Sequence, residues 1–109
     1  MRVGYVRVST IEQNTARQEV LLEYLNAEKV FIDKCSGKNT DRPALKELLN
    51  FVRDGDTVVV ESISRLARNT RDLLELVDKF TEQGVGFISQ KEKIDTSTPT
   101  GKFVLTLFG

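Results

Sequence analysis

The chain has 109 residues, 39% hydrophobic and 29% charged, with 16 basic residues balanced by 16 acidic ones. That length suits one domain with its own core, and the composition disfavours disorder, collagen-like repeats and coiled coils. Histidine is absent and cysteine occurs once, which removes Ser-His and Cys-His catalytic pairs, most zinc sites and any internal disulfide framework. A single thiol suits a reducing cytoplasm, and zero net charge leaves any nucleic-acid function to the placement of charges. No apolar run approaches the ~20 residues of a membrane span, and Met1-Arg2-Val3 opens into a strand pattern with no signal peptide.

Residues 2–8 alternate, with Val6 and Val8 on one face and Tyr5, Arg7 and then Ser9 on the other, so the first strand turns polar at its far end. Val20, Leu21, Tyr24 and Leu25 follow helical spacing, which predicts an amphipathic helix over about residues 14–27. Lys29 to Asp33 reads as a short strand of the buried type. Thr40-Asp41-Arg42-Pro43 is a helix start, a capping residue ahead of proline, and Leu45, Leu48, Leu49 and Val52 carry that helix to about Arg53. After the turn at Asp54-Gly55-Asp56, Thr57 to Val60 predicts a strand buried on both faces. A third helix runs from about Thr70 to Gln83, with Leu73, Leu74, Val77 and Phe80 inward and Gly84 as its C-cap. Val85 to Ser89 supplies a fourth strand, and Lys91-Glu92-Lys93 reads as a solvated loop. Thr98-Pro99 starts a last helix, whose residues Phe103, Val104, Leu105, Leu107 and Phe108 are too apolar for one buried stripe.

The order is βαβαβαβ, with crossovers long enough for parallel connections. Ligands of such sheets collect at the carboxyl ends of the strands. There the first strand delivers Tyr5, Arg7 and Ser9, followed by Gln13 and Gln18; the second leads to Arg42; the third leads to Ser64, Arg65, Arg68 and Arg71. One hydroxyl and several arginines converge without an imidazole. Ser9 also fits a plain capping box with Glu12, and on spacing alone capping is the commoner use of serine. The arginines could be a solvated face. Their placement at helix starts argues otherwise, because the macrodipole disfavours a cation there by ~0.3–1 kcal/mol unless an anion joins it. Phosphate matches the planar fork of arginine. Cys35 lies one residue out of phase with Arg42 for a cysteine phosphatase loop, and Gly37-Lys38 lacks the rest of a phosphate loop. The scattered carboxylates form no evident oxygen cage, so neither metal nor cofactor is expected.

These residues resemble the catalytic domain of the small serine recombinases, the resolvase/invertase family. Tyr5-Val6-Arg7-Val8-Ser9-Thr10 with Gln13 and Gln18 is similar to the family's nucleophile strand. Asp33-Lys34-x-Ser36-Gly37 with Asp41-Arg42-Pro43 is similar to its second signature, and Ser64-Arg65-Leu66-Ala67-Arg68-Asn69 to its third. Gly101-Lys102 is similar to the start of its last long helix, so the resemblance covers nearly the whole chain.

The resemblance implies a three-layer α/β fold with a mostly parallel central sheet, helices on both faces and a truncated long helix at the end. It implies a catalytic core over residues 1–97 and the start of a dimerisation helix over 98–109, with the helix-turn-helix DNA-binding domain absent. Ser9 would attack a DNA phosphodiester, leaving a 5′-phosphoserine link. Arg7, Arg42, Arg65 and Arg68 would hold the scissile phosphate. Tyr5, Gln13, Gln18, Asp41, Ser64 and Arg71 would support it. Many members carry Asp where this chain has Ser64. The proton acceptor for Ser9 is left open among an arginine, a carboxylate and water. The implied partners are double-stranded DNA at a recombination site and further copies of the chain, a homodimer and then a tetramer, joined through Phe103, Val104, Leu107 and Phe108. The competing readings are a non-catalytic dimerisation module of the same fold and a phosphatase.

Overall fold

The computed structural model describes residues 1–8, 20, 23, 26–34, 42–67 and 69–107, without the side chains of Val8, Arg65, Lys102, Val104, Leu105 and Thr106. Five strands, β1 (Arg2–Val8), β2 (Lys29–Lys34), β3 (Thr57–Val60), β4 (Gly86–Ser89) and β5 (Ile94–Asp95), form one sheet in the order β2-β1-β3-β4-β5. The first four are mutually parallel and β5 runs antiparallel to β4. The helices with described bounds are α1 (Pro43–Phe51), the single turn α2 (Ile63–Leu66), α3 (Thr70–Glu82) and α4 (Pro99–Leu107).

The period-2 pattern of the strands sorts the core into two faces. Val3, Tyr5, Val58, Val60 and Phe87 join Leu45, Leu48 and Val52 around α1 and Leu73, Leu76, Val77 and Phe80 of α3 in the main cluster. Val6 and Val59 point the other way, where Ala27, Val30 and Ile88 pack against them. β1 and β3 are therefore buried on both faces, as the continuous apolar run Val58 to Val60 demands for β3.

Several sequence expectations change. β2 is an edge strand, not one buried throughout: Phe31 and Asp33 face inward, whereas Lys29, Ile32 and Lys34 are exposed. The predicted helix over 14–27 falls mostly outside the described residues, with Val20 and Glu23 helical. Val20 is 64% exposed, not inward, and Asn26 already turns with φ 64°. Helix α1 ends at Phe51, with Val52 extended as its C-cap. In α3 the fourth inward residue is Leu76, while Leu74 is only half-buried, because a stripe at 73, 76, 77 and 80 follows the helical period more closely. Gly84 takes a left-handed φ of 72° just after the C-cap residue Gln83, a conformation that suits glycine. β5 is a two-residue strand, too short to show a period. The start of α4 is as expected: the Thr98 hydroxyl accepts from Gly101 N–H at 3.0 Å. At Gly101 a Cβ would meet the Asp95 carbonyl oxygen at 1.8 Å, so this helix lies directly on β5.

Candidate active site

β1 and β3 are neighbours from which the chain leaves in opposite directions, to β2 and to β4. The crevice beyond their carboxyl ends is a topological switch point, where ligands of open parallel sheets bind. Arg7 stands near the end of β1 and is half-buried. Its Nη2 donates to the carbonyl of Ser64 in α2 at 2.6 Å. From the other side Arg42, at the N-cap position of α1, donates from Nη1 to the carbonyl of Leu66. Two guanidinium groups from separate elements thus grip the carbonyls on either side of Arg65, whose backbone lies in α2.

Arg42 is fixed further by Asp72 in the first turn of α3, with Nη2 to Oδ2 at 3.1 Å. Both side chains are largely shielded, at 11% and 18% exposure, so the pair is only weakly screened by solvent. Asp72 also sits at the positive end of α3, where Asn69 caps its N–H at 2.8 Å. Arg42 precedes a helix start, as the sequence suggested, but its charge is directed to α2 and α3 and not to the end of its own helix.

Asp33, at 2% exposure, organises the same edge from within. Its Oδ2 accepts from the Tyr5 hydroxyl at 2.8 Å and from Leu45 N–H at 3.0 Å, and its Oδ1 accepts from Ala44 N–H at 2.9 Å. The expected local cap at Thr40-Asp41 lies outside the described residues, and the N-cap residue Arg42 makes no side-chain cap bond. Asp33 supplies that function from the neighbouring strand. Burial, then the hydrogen bond to Asp33 and its charge, push the Tyr5 phenol well above its ordinary value of 10.0; Arg42 and Arg7 pull weakly the other way. Tyr5 is therefore a neutral donor that fixes Asp33.

Ser64 is exposed, with its hydroxyl 2.9 Å from that of Ser62. Arg71 lies on the surface, 89% exposed and 3.4 Å from Glu75 one turn along α3, in the solvated arrangement considered for it from sequence. Ser9, Gln13, Gln18, Asp41 and Arg68 lie outside the described residues, as does Phe108. On α4, Phe103 and Leu107 are 64% and 70% exposed, one turn apart on the same face.

Two residues of this edge gave no functional signal in the sequence. Asp33 has no role that its sequence neighbours signal, and only its burial beside a helix start discloses one. The sequence pattern places Glu92 in a solvated loop. It is instead half-buried, and its Oε1 accepts from Ile63 N–H at 3.0 Å and from the Ser89 hydroxyl.

The chain matches the family described as Resolvase, N terminal domain, over residues 2–109. It is 49% identical over 109 residues to a DNA-invertase of Enterobacteria phage P7, covering 100% of this chain and 59% of that protein. To the transposon Tn501 resolvase of Pseudomonas aeruginosa it is 50% identical over 111 residues, covering 99% and 58%. Among solved structures it is similar to the N-terminal catalytic domain of TP901-1 integrase, with a TM-score of 0.80 and 36% identity over 99% of this chain and 91% of that one. A resolvase family site-specific recombinase from Streptococcus pneumoniae gives a TM-score of 0.75 at 26% identity, over 98% and 81%. The chain spans less than two thirds of the length of the curated relatives it matches.

Proposed function

The chain belongs to the resolvase N-terminal domain family, and from that premise we propose that it is the catalytic part of a site-specific DNA recombinase with Ser9 as its nucleophile. The observation that carries this reading is the convergence of Arg7 and Arg42 on the carbonyls flanking Arg65, beside the strand that runs into Ser9. The Ser9 oxygen forms a bond to phosphorus as the bond to the deoxyribose 3′-oxygen breaks. The serine gives up its proton and the leaving 3′-oxygen gains one. The phosphoserine conserves the phosphodiester, so the 3′-hydroxyl of the exchanged strand reseals DNA by the reverse step without ATP. Arg7, Arg42, Arg65 and Arg68 offset charge on the non-bridging oxygens, and their planar forks fix the phosphate's orientation. Gln13, Gln18 and Asp41 are supporting residues in this reading, and Tyr5 acts through Asp33.

Residues 1–97 form the catalytic core in this reading, and 98–109 begin a helix that joins copies of the chain. The exposed pair Phe103 and Leu107 supports such a contact, with Val104 and Phe108 beside it in sequence, because large apolar side chains on one face of a helix mark protein interfaces. Double-stranded DNA is the substrate, a dimer pairing into a tetramer is the working assembly, and the cytoplasm is where that DNA is met. Among the described residues no helix is long and apolar enough to cross a membrane.

Trapping on a nicked suicide DNA substrate tests the reading. The full-length protein is expected to migrate with DNA in a denaturing gel, and Ser9→Ala to abolish that species while binding stays nearly intact. Undiminished covalent attachment by Ser9→Ala overturns the assignment. A parent that binds DNA without attaching favours the non-catalytic module.

A further inference from the structure

Helix α2 has four residues and does not cap itself: its N-cap residue Ser62 makes no side-chain cap bond. Its first N–H, that of Ile63, is served from the loop after β4 by Glu92 Oε1 at 3.0 Å. Ser89, fully buried at the end of β4, donates its hydroxyl to the same oxygen and so orients it. The loop backbone follows the exit from β3, with Gln90 N–H donating to the Val60 carbonyl at 3.1 Å and Lys91 N–H to that of Glu61 at 2.8 Å. At its other end α2 receives Arg7 on Ser64 and Arg42 on Leu66. A turn this short has little stiffness of its own, so these attachments, together with the burial of Leu66 in the main cluster, define where it lies.

We infer that Glu92 is a positioning residue for the arginine cluster: it anchors the N-terminal end of α2 and thereby sets where Arg7, Arg42 and Arg65 stand. Without it the Ile63 N–H loses its acceptor, the described polar contacts of α2 reduce to Arg7, Arg42 and the Ser62–Ser64 hydroxyl pair, and the guanidinium groups shift with the carbonyls they hold. Misplacement on the order of an ångström is costly where groups must meet a transition state. The consequence for cleavage rests on the recombinase reading; the effect on the arginines does not.

The test compares Glu92→Ala, Glu92→Gln and Ser89→Ala in the full-length protein. Gln keeps a side-chain oxygen for Ile63 N–H while losing the charge. Guanidinium nitrogen spectra are read first, with Arg7 and Arg42 assigned through Arg→Lys variants. Both resonances are expected to move in Glu92→Ala, to return in Glu92→Gln and to move partway in Ser89→Ala. On DNA, single-turnover covalent attachment at saturating protein is expected to fall about 10-fold or more in Glu92→Ala, with Kd within about 2-fold, and to recover to within about 3-fold in Glu92→Gln. Unmoved arginine resonances while Ile63 amide exchange accelerates, or an unchanged attachment rate, would reduce Glu92 to a simple cap and overturn the inference. Should Glu92→Ala fail to fold, Ser89→Ala decides by the same two measurements. A parent inert on DNA would count against the recombinase reading, and the spectra alone would then decide the role of Glu92.

Discussion

Arg7 reaches the backbone carbonyl of Ser64, not its side chain, over 2.6 Å, while the Ser64 hydroxyl faces Ser62. The tie between β1 and α2 therefore depends on the course of the backbone at 64. This matters because the family resemblance puts Asp at this position in many members.

Ser64→Ala is expected to leave that tie intact. It removes one partly exposed hydroxyl contact, so urea denaturation should show a loss below about 1 kcal/mol. Covalent attachment to DNA should stay within a few-fold of the parent. A loss as large as that of Arg7→Ala would show that the side chain carries the contact.

Arg65→Lys and Arg68→Lys keep the charge but lose the planar fork. Cleavage at saturating DNA is expected to fall by roughly 10²–10³-fold, as for the loss of one donor to a developing oxyanion. Affinity should change far less. Equal losses in binding and cleavage, measured by gel shift and suicide-substrate trapping, would make these residues plain backbone contacts.

Tyr5 gives the fold an alkaline limit. Its phenol is held above its ordinary value of 10.0 in the folded chain by burial and then by Asp33. Above that pH the unfolded chain releases a proton that the folded chain keeps, so the stabilisation is fully present below about pH 10 and is lost as pH rises beyond it, at up to ~1.4 kcal/mol per pH unit. Tyr5→Phe should cost about 1 kcal/mol at neutral pH through the missing hydrogen bond. Its deficit relative to the parent should shrink between about pH 10 and about pH 11 in denaturation experiments. A deficit that stays constant across that window would mean the phenol ionises as freely folded as unfolded.

Phe103→Glu with Leu107→Glu is expected to leave the circular-dichroism spectrum and melting temperature of the monomer nearly unchanged, since both side chains are mostly exposed. In sedimentation, association of the parent should be lost in the double variant. Unfolding of the double variant would place these residues in the domain's own core.

The parallel strands and the long helix α3 were legible because their apolar residues repeat with one period over enough positions. Thr57 to Val60 and the stripe through Phe80 carry that signal by themselves. The arginines were legible through their places at strand and helix ends. Asp33 and Glu92 were not, because each serves an N–H distant in sequence, 11 and 29 residues away, and no local pattern encodes such a pairing. Val20 shows the converse error: an apolar residue at helical spacing that ends up 64% exposed.

Helix α1 borrows its beginning from a strand. Its first turn contains no acidic residue and its N-cap residue makes no cap bond, yet Ala44 and Leu45 are both satisfied by the buried carboxylate of Asp33. A nine-residue helix is marginal in isolation. Strand β2 and helix α1 are consequently one cooperative unit, and whatever frays the sheet edge at Phe31 to Asp33 also unwinds the segment that presents Arg42. An edge strand thereby has a direct hold on a residue of the central crevice, and disturbance at the rim of the sheet is transmitted to its middle by two backbone amides.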